Sequence, residues 1–225
     1  MVSVVVNTYR NAPSRLFEAV QSYRNQEGIE VEIIVSTVVG DSSIGYAQKL
    51  NLKTVISNQP GIYSQLNKAI KAVEGEWYVY ASGNDFVLPT KLKDEIACCG
   101  NTHSVCYSDF YVGNGDLSIQ STTRLPDYNH ASHFKNNFVS DVALVRTSLL
   151  KKYAPFREQF QNKAYWDFWL RIAKGEGTKV FVHNPKPEWI YRVTEESRSR
   201  QRHKSKELCA AEAQVRREML KAHGH

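Results

Sequence analysis

The chain lacks the features that mark membrane proteins, secreted proteins and disulfide scaffolds. No apolar run approaches the ~20 residues that a membrane-spanning helix needs. The opening segment MVSVVVNTYRN has no basic leader and no cleavage pattern, so we interpret it as a buried strand and not as a signal peptide. The four cysteines fit neither a metal-ligand spacing nor a small disulfide framework. These absences favour a reducing, cytoplasmic location.

Common motifs of nucleotide-processing and ester-processing enzymes are absent as well. There is no Walker-type glycine loop, no Gly-x-Ser-x-Gly elbow and no Cys–His pairing. The segment NTYRNAPSR, which follows the first predicted strand, contains neither glycine nor lysine. This argues against a nucleotidyltransferase, whose phosphate loop we expect to be rich in both.

Positive charge is scarce outside the carboxyl-terminal tail. The net charge is +6, and the stretch from Arg198 onwards holds eight Lys or Arg and three Glu, so the rest of the chain is nearly neutral. A neutral body argues against a general nucleic-acid-binding protein. The basic tail suits either a solvated helix or an anionic ligand or membrane surface.

Hydrophobic periodicity predicts alternating strands and helices in the first hundred residues, then a mixed pattern. Such alternation is typical of a mostly parallel sheet with helices on both faces, here in one α/β domain. The predicted strands are residues 2–7, 30–36, 53–57, 76–82, 104–112, 118–124, 138–146, 178–183 and 188–193. The predicted helices are residues 13–26, 43–50, 62–73, 90–97, 164–174 and 205–222.

The segment from residue 61 to residue 92 contains the clearest candidate site. A helix that ends at Gly75 is followed by a buried strand, and Asp85 comes directly after that strand. Ligands of α/β sheets bind at the carboxyl ends of strands. Asp85 therefore either holds a metal and a nucleotide or caps the helix of residues 90–97.

With these segments in place, the chain resembles the family 2 glycosyltransferases of the GT-A fold. Four segments carry the resemblance in the family's order: VSVVVNTYRN, SNQPGIYSQLNKAIKAVEGEWYVYASGNDFVLP, WDFWLRIA and IYRVTEESRS. The resemblance implies a GT-A domain over residues 1–203. Residues 1–100 would bind the nucleotide sugar and residues 101–203 the acceptor, with a basic amphipathic helix over 204–225.

The resemblance also implies an activity and a set of site residues. An inverting enzyme of this kind moves a sugar from a UDP, dTDP or GDP donor to a hydroxyl of a glycan or lipid-linked saccharide. Mn²⁺ or Mg²⁺ assists by neutralising the leaving diphosphate. Asp85 matches the metal ligand, and the positions expected to bind the donor are Thr8, Tyr9, Arg10, Asn84, Asp85 and Arg192.

The chain departs from the family pattern at the positions that do the chemistry. Its metal loop keeps a single carboxylate, so we expect the metal to arrive with the donor. Tyr165 stands where the family places its acid, and an unperturbed tyrosine is a poor base at neutral pH. Asp167 is then the candidate base, unless it pairs with Arg171 four residues later. Thr194 replaces a histidine of the family. These departures keep a catalytically silent GT-A module, which binds nucleotide or glycan, as the alternative.

Three weaker patterns leave more than one interpretation open. Asp109 and Asp141 either face the acceptor or satisfy backbone donors. His130 and His133 have a metal-ligand spacing, but a polar loop is favoured because no third ligand is evident nearby. The carboxyl-terminal helix has an apolar stripe that suits docking on the core, a homodimer or peripheral contact with the cytoplasmic membrane face.

Overall fold

A computed structural model describes residues 1–194 and 205–224. Within them, a large sheet is covered by helices on both faces, and a smaller sheet stands at one edge. The boundary expected between residues 203 and 204 lies outside this range, as does the EESRS part of the late motif. No helix in the described residues is long and apolar enough to cross a bilayer.

The large sheet is parallel except for one strand. Its order is β10-β6-β9-β4-β1-β2-β3, and β9 alone runs antiparallel, between β6 and β4. The central strands β1 and β4 are almost entirely buried, as expected for strands covered on both faces, whereas the edge strand β3 is partly exposed. The strands are β1 (Val2–Asn7), β2 (Val31–Val38), β3 (Lys53–Ser57), β4 (Trp77–Ser82), β6 (Val105–Ser108), β9 (Leu144–Arg146) and β10 (Phe181–Asn184).

The smaller sheet has the order β5-β11-β7-β8 and borders the carboxyl edge of the large one. Its strands are β5 (Phe86–Val87), β7 (Phe110–Gly113), β8 (Ile119–Thr123) and β11 (Trp189–Arg192). β5 follows β4 after only three residues, so the small sheet is tied directly to the loop that contains Asp85. The sequence pattern predicts most of these strands but not their separation into a second sheet.

Eight α-helices lie within the described residues. They are α1 (Pro13–Arg24), α2 (Ser43–Lys49), α3 (Ile62–Ala69), α4 (Lys91–Cys99), α5 (His130–Lys135), α6 (Thr147–Tyr153), α7 (Ala164–Glu176) and α8 (Lys206–Ala222). Two of them, α5 and α6, were not predicted; they have six and seven residues, too few for a clear helical period. The equally short α2 was predicted. Three short 3-10 segments accompany them.

Two hydrophobic cores lie on opposite faces of the large sheet. The larger one contains most of α7, whose residues 164–170 are all buried. Its centre is aromatic: Phe156 lies 4.5 Å from Tyr165 and 4.8 Å from Phe168, centroid to centroid. This packing explains why α7 is apolar almost all round.

The carboxyl-terminal helix α8 packs on the larger core. Val215 and Met219 are buried, and Glu212 accepts a hydrogen bond from Lys163 Nζ at 2.6 Å. Leu208 is 50% exposed, so only part of the apolar stripe is covered. Of the three roles expected for this helix, docking on the core is confirmed, while dimer formation and membrane contact stay predictions.

Candidate active site

A cavity of about 1090 Å³ opens at the carboxyl edge of the large sheet. It lies where β1 has β2 on one side and β4 on the other, and the chain reverses its direction of winding at this point. Such a switch point leaves a crevice between two loops that diverge, which is where open α/β sheets bind ligands. Strands β7, β8 and β11 of the smaller sheet form the opposite wall.

The loop after β1 contributes Thr8, Tyr9 and Arg10 to the cavity wall. Arg10 has φ 55°, and its backbone N–H donates to Asp41 Oδ2 at 2.8 Å. Burial opposes the charge on Asp41, but hydrogen bonds from Ser43 and from the Arg10 N–H outweigh it and lower the pKa of this carboxyl. Asp41 thus holds the loop in an uncommon left-handed conformation.

The loop after β4 lies directly against the loop after β1. The Gly83 N–H donates to the Asn7 carbonyl at 3.1 Å. A Cβ at position 83 would lie 3.3 Å from Thr8 Cβ and 2.6 Å from Asn11 Nδ2. Glycine therefore allows the two loops to approach closely, which places Asn84 and Asp85 beside the residues of the first loop.

Asp85 lies on the cavity wall with little compensation for its charge. Its Oδ1 accepts the Arg192 backbone N–H at 3.4 Å. Burial raises the pKa of Asp85 to about 7; the nearby Arg192 opposes this shift and the charge of Asp141 adds to it. A carboxylate that is costly to ionise in this way is stabilised by a cation at its side.

Arg192 ends β11 and faces the same cavity. It is 4% exposed, and its Nη2 donates to Glu18 Oε2 on α1 at 2.5 Å. Its Nε has no hydrogen-bond partner among the described residues. The guanidinium is therefore braced by Glu18 and retains a donor toward the cavity.

Other buried polar atoms of the cavity wall also lack partners within the described part of the chain. Buried polar groups are nearly always hydrogen-bonded, so a cluster of exceptions in one cavity indicates a bound ligand or water. The atoms are Asn7 Oδ1, Thr8 Oγ1, Gln65 Oε1, Ser140 Oγ, Trp189 Nε1 and Arg192 Nε.

The six residues expected to bind a donor all line this cavity. The structure thus brings together side chains from three places in the sequence: the loop after β1, the loop after β4 and the end of β11. Their part in binding stays a prediction, as does that of Asp85 in holding a metal. Within the described residues no group of three His, Cys, Asp or Glu could hold a metal ion without further ligands.

Asp167, the candidate base, does not line the cavity. It is fully buried on α7, where Oδ2 accepts from Arg171 Nε at 3.0 Å and Oδ1 lies 3.4 Å from Arg157 Nη1. Oδ1 also lies 2.8 Å from His223 Nε2. The pair with Arg171 is confirmed, and these contacts correct the expectation of a base: the carboxylate joins α7 to the carboxyl-terminal segment.

Tyr165 is likewise held beneath the cavity. Its hydroxyl lies 2.9 Å from the Tyr78 hydroxyl, and burial raises its pKa well above the ordinary value. Tyr80, which lines the cavity, packs on it with centroids 5.5 Å apart. A neutral aromatic cluster therefore fills the place of the family's acid.

Asp141 is the acidic residue of the site whose position the sequence left open. It lies in the loop before β9 and lines the cavity, whereas Asp109 accepts from the Leu125 N–H at 2.8 Å and from Arg124 Nη1 at 2.9 Å. Asp109 thus satisfies a backbone donor, one of the two roles expected for this pair. No local sequence signal separates the two, because the loop before β9 reaches the cavity only through the antiparallel β4–β9 pairing.

The histidine pair does not form a metal site in the structure. His133 is completely buried in α5, and burial lowers its pKa to about 3, with a smaller contribution from His130. Its ring packs 4.8 Å from Phe138, centroid to centroid. His133 is a core residue in a helix, not part of the polar loop that was favoured.

The similarity of the chain to known proteins at the level of sequence is distant. No protein-family model matches the chain. A curated relative, the uncharacterized protein y4gI of Sinorhizobium fredii, is 24% identical over 209 residues, which cover 86% of this chain and 22% of the relative.

Solved structures resemble the chain over most of its length. TarS residues 1–349 of S. aureus superimpose with a TM-score of 0.67 and 23% identity, covering 85% of this chain and 60% of that one. The complex of that protein with UDP-GlcNAc gives 0.65 and 22%, covering 87% and 59%. Glucosyl-3-phosphoglycerate synthase of Mycobacterium tuberculosis, in complex with Mn²⁺, UDP and phosphoglyceric acid, gives 0.62 and 12%, covering 86% and 71%. The chain therefore has the GT-A fold, as predicted.

Proposed function

We propose that the chain is a glycosyltransferase that moves a sugar from a nucleoside-diphosphate donor, UDP in the first instance, to a hydroxyl of a saccharide acceptor. The observation that carries the proposal is the single cavity in which the six predicted donor-binding residues meet. The similar structures of TarS and of the synthase hold UDP or a UDP-sugar, which supports uridine as the base.

The charges of the cavity suit a diphosphate. Arg10, Arg15 and Arg192 line it together with Asp85 and Asp141. Arg192 keeps its Nε–H for a phosphate oxygen, and guanidinium groups bind phosphate through such charge-assisted hydrogen bonds. Tyr9 and Thr8, in the loop after β1, offer a ring and a hydroxyl to the nucleoside.

The residues around Asp85 fit a hard divalent cation that enters with the donor. Asp85 supplies one carboxylate, Asn84 an amide oxygen and Ser82 a hydroxyl, all on the cavity wall. Mg²⁺ and Mn²⁺ prefer oxygen ligands and are often held by few carboxylates plus substrate phosphates. A bound cation of this kind neutralises the negative charge that the leaving diphosphate gains.

The wall formed by the smaller sheet suits a saccharide acceptor. Phe110 and Trp189 stack with centroids 4.6 Å apart, and Tyr191 lies beside them at 6.2 Å from Trp189. Aromatic walls with a few polar groups are typical of sites for neutral organic ligands. We propose an inverting reaction, with the acceptor hydroxyl opposite the leaving diphosphate.

Titration with UDP and hydrolysis of UDP-GlcNAc, each with Mn²⁺ or with EDTA, test the proposal. We expect Mn²⁺ to tighten UDP binding at least about tenfold in the wild-type chain, which is a gain of about 1.4 kcal/mol. Asp85→Ala should lose that gain and release no UDP from the sugar donor. Asp116→Ala, which removes a carboxylate from an exposed turn that is not part of the cavity lining, is the control.

Two results would contradict the proposal in different ways. Absence of binding to UDP, dTDP and GDP, with and without Mn²⁺, would remove the donor site altogether. Tight binding without turnover on a panel of saccharide acceptors would favour the catalytically silent module instead.

A further inference from the structure

The cavity contains few groups able to accept a proton from an acceptor hydroxyl. Among the described residues that line it there is no histidine, lysine, cysteine or glutamate, and Asp85 and Asp141 are the two carboxylates. Tyrosine and arginine side chains are protonated at neutral pH and serve poorly as bases. If Asp85 faces the diphosphate and its cation, Asp141 is the remaining candidate.

The sheet register places Asp141 close to the reacting end of the donor. Antiparallel pairing joins Leu144 to Val79 and Val145 to Tyr78, so the chain enters β9 from the side of the carboxyl end of β4. Asp141, three residues before β9, and Ser82, the last residue of β4, both line the cavity. In agreement with that placement, the charge of Asp141 contributes to raising the pKa of Asp85, of Tyr78 and of Tyr165.

The loop that carries Asp141 is anchored at both ends. Val139 and Val142 on either side are buried, and the Ala143 N–H donates to the Ser140 carbonyl at 3.3 Å. A carboxylate held between two buried residues keeps a defined position with little loss of side-chain entropy on binding. Asp141 itself is partly exposed to the cavity, where an acceptor can reach it.

We propose that Asp141 is the general base of the transfer reaction and replaces the acid that the aromatic cluster of Tyr165 displaces. The inference rests on the proposed function. Asp141 takes the proton of the acceptor hydroxyl, whose oxygen forms a bond to the anomeric carbon of the donor. The bond between that carbon and the diphosphate oxygen breaks, and the nucleoside diphosphate leaves with the electron pair.

Kinetics of UDP release from UDP-GlcNAc in the presence of Mn²⁺ test the assignment, with water as the acceptor and UDP affinity measured in parallel. General bases contribute typically about 10²- to 10⁴-fold, so Asp141→Asn should lower kcat at least about 100-fold. UDP affinity should stay within about threefold, because the carboxylate faces the acceptor. Asp116→Asn is the matched control and should keep both quantities.

A second variant, Asp141→Ala, tests the assignment independently of Asp141→Asn. Asp141→Ala leaves space for a small carboxylate, so added formate should restore part of the lost rate in this variant and not in wild type. Asp141→Glu retains a carboxylate and should keep more activity than Asp141→Asn. Circular dichroism and thermal melting establish that each variant is folded.

Three outcomes would overturn the inference and can be told apart. Wild-type turnover that persists within about tenfold in folded Asp141→Asn and Asp141→Ala would show that another group takes the proton. A loss of Mn²⁺-dependent UDP affinity in Asp141→Asn would make this residue a second metal ligand instead. A wild-type chain that binds UDP but releases none from any sugar donor would overturn the proposed function, and the base assignment with it.

Discussion

Replacing Asp85 with asparagine should make the metal-free protein more stable at neutral and alkaline pH. The carboxyl is poorly compensated, and burial raises its pKa from the ordinary value of 3.8 to about 7. In the unfolded chain the group ionises near pH 4, whereas in the folded chain it stays protonated up to about pH 7. Ionised Asp85 therefore costs folding free energy, and asparagine removes the cost with almost no change in shape.

The magnitude follows from the difference between the two pKa values. Each pKa unit corresponds to about 1.4 kcal/mol, so the interval from 3.8 to about 7 sets an upper value of about 4 kcal/mol. Partial exposure to the cavity reduces this, and we expect about 2 to 4 kcal/mol at pH 8. For a chain of this size, about 1 kcal/mol corresponds to roughly 2 to 4 °C in Tm.

The way in which the stability difference between Asp85→Asn and wild type changes with pH distinguishes the ionisation of Asp85 from other causes. Below about pH 4, Asp85 is protonated in both the folded and the unfolded chain, so its ionisation does not affect stability. As the pH rises from 4 to 7 the unfolded chain loses its proton first, so the advantage of Asp85→Asn should grow and then level off above 7. Thermal melts from pH 5 to 8 in EDTA measure the difference in Tm.

A control variant and the addition of Mn²⁺ and UDP test the same explanation. Hydrogen bonds from Ser118 lower the pKa of Asp116, so any pH slope for Asp116→Asn should have the opposite sign. Added Mn²⁺ and UDP should raise the Tm of wild type and not that of Asp85→Asn. An Asp85→Asn variant that is less stable than wild type at pH 8 in EDTA would refute the reasoning.

Two further predictions concern the scaffold. Gly75→Ala should lower the free energy of unfolding by about 1 to 3 kcal/mol in urea titrations, because its Cβ would lie 2.7 Å from a backbone nitrogen of β1. Gly45→Ala, with no neighbour within 4 Å of the added Cβ, should instead stabilise α2 by up to about 1 kcal/mol. Equal effects of Gly75→Ala and Gly45→Ala on the free energy of unfolding would contradict the steric argument. Lys91→Ala should lower the free energy of unfolding by about 3 to 5 kcal/mol, because it leaves the buried Glu95 carboxylate, which lies 2.5 Å from Lys91 Nζ, without its ion-pair partner. Lys93→Ala, on the exposed side of the same helix, should change stability little. A small loss in Lys91→Ala would mean that Glu95 takes up a proton instead.

The first half of the fold was predictable because its signals are local. Strands β1 and β3 have the predicted bounds, and β2 and β4 differ by at most two residues at either end. Buried parallel strands are short β-branched runs, and the helices between them repeat their apolar residues at helical spacing. The order of such units also predicts the edge at which loops converge, so Thr8 and Asp85 could be placed together before any coordinates were known.

The second half was harder because its strands are short and pair over long distances. The strand expected over 138–146 begins only at Leu144, since the residues before it line the cavity instead of extending the ladder. The sequence is compatible with a strand that starts at residue 138 and with one that starts at Leu144, and only the pairing with β4 decides between them. Asp167 shows the same limit, because its position on α7 was predictable while its burial against Arg157 and His223 was not.

The sequence by itself determined the α/β class, the order of the elements in the first hundred residues and the carboxylate that follows β4. These depend on residues within a few positions of one another. The tertiary structure alone decided which second carboxylate reaches the cavity. Tyr165 and Tyr78 occupy the space beneath it, Asp167 pairs with its arginines, and the β4–β9 pairing brings Asp141 to the cavity that the loop after β4 also lines. The contact between Tyr78 and Tyr165 and the β4–β9 pairing join residues more than fifty positions apart, which local sequence patterns do not contain.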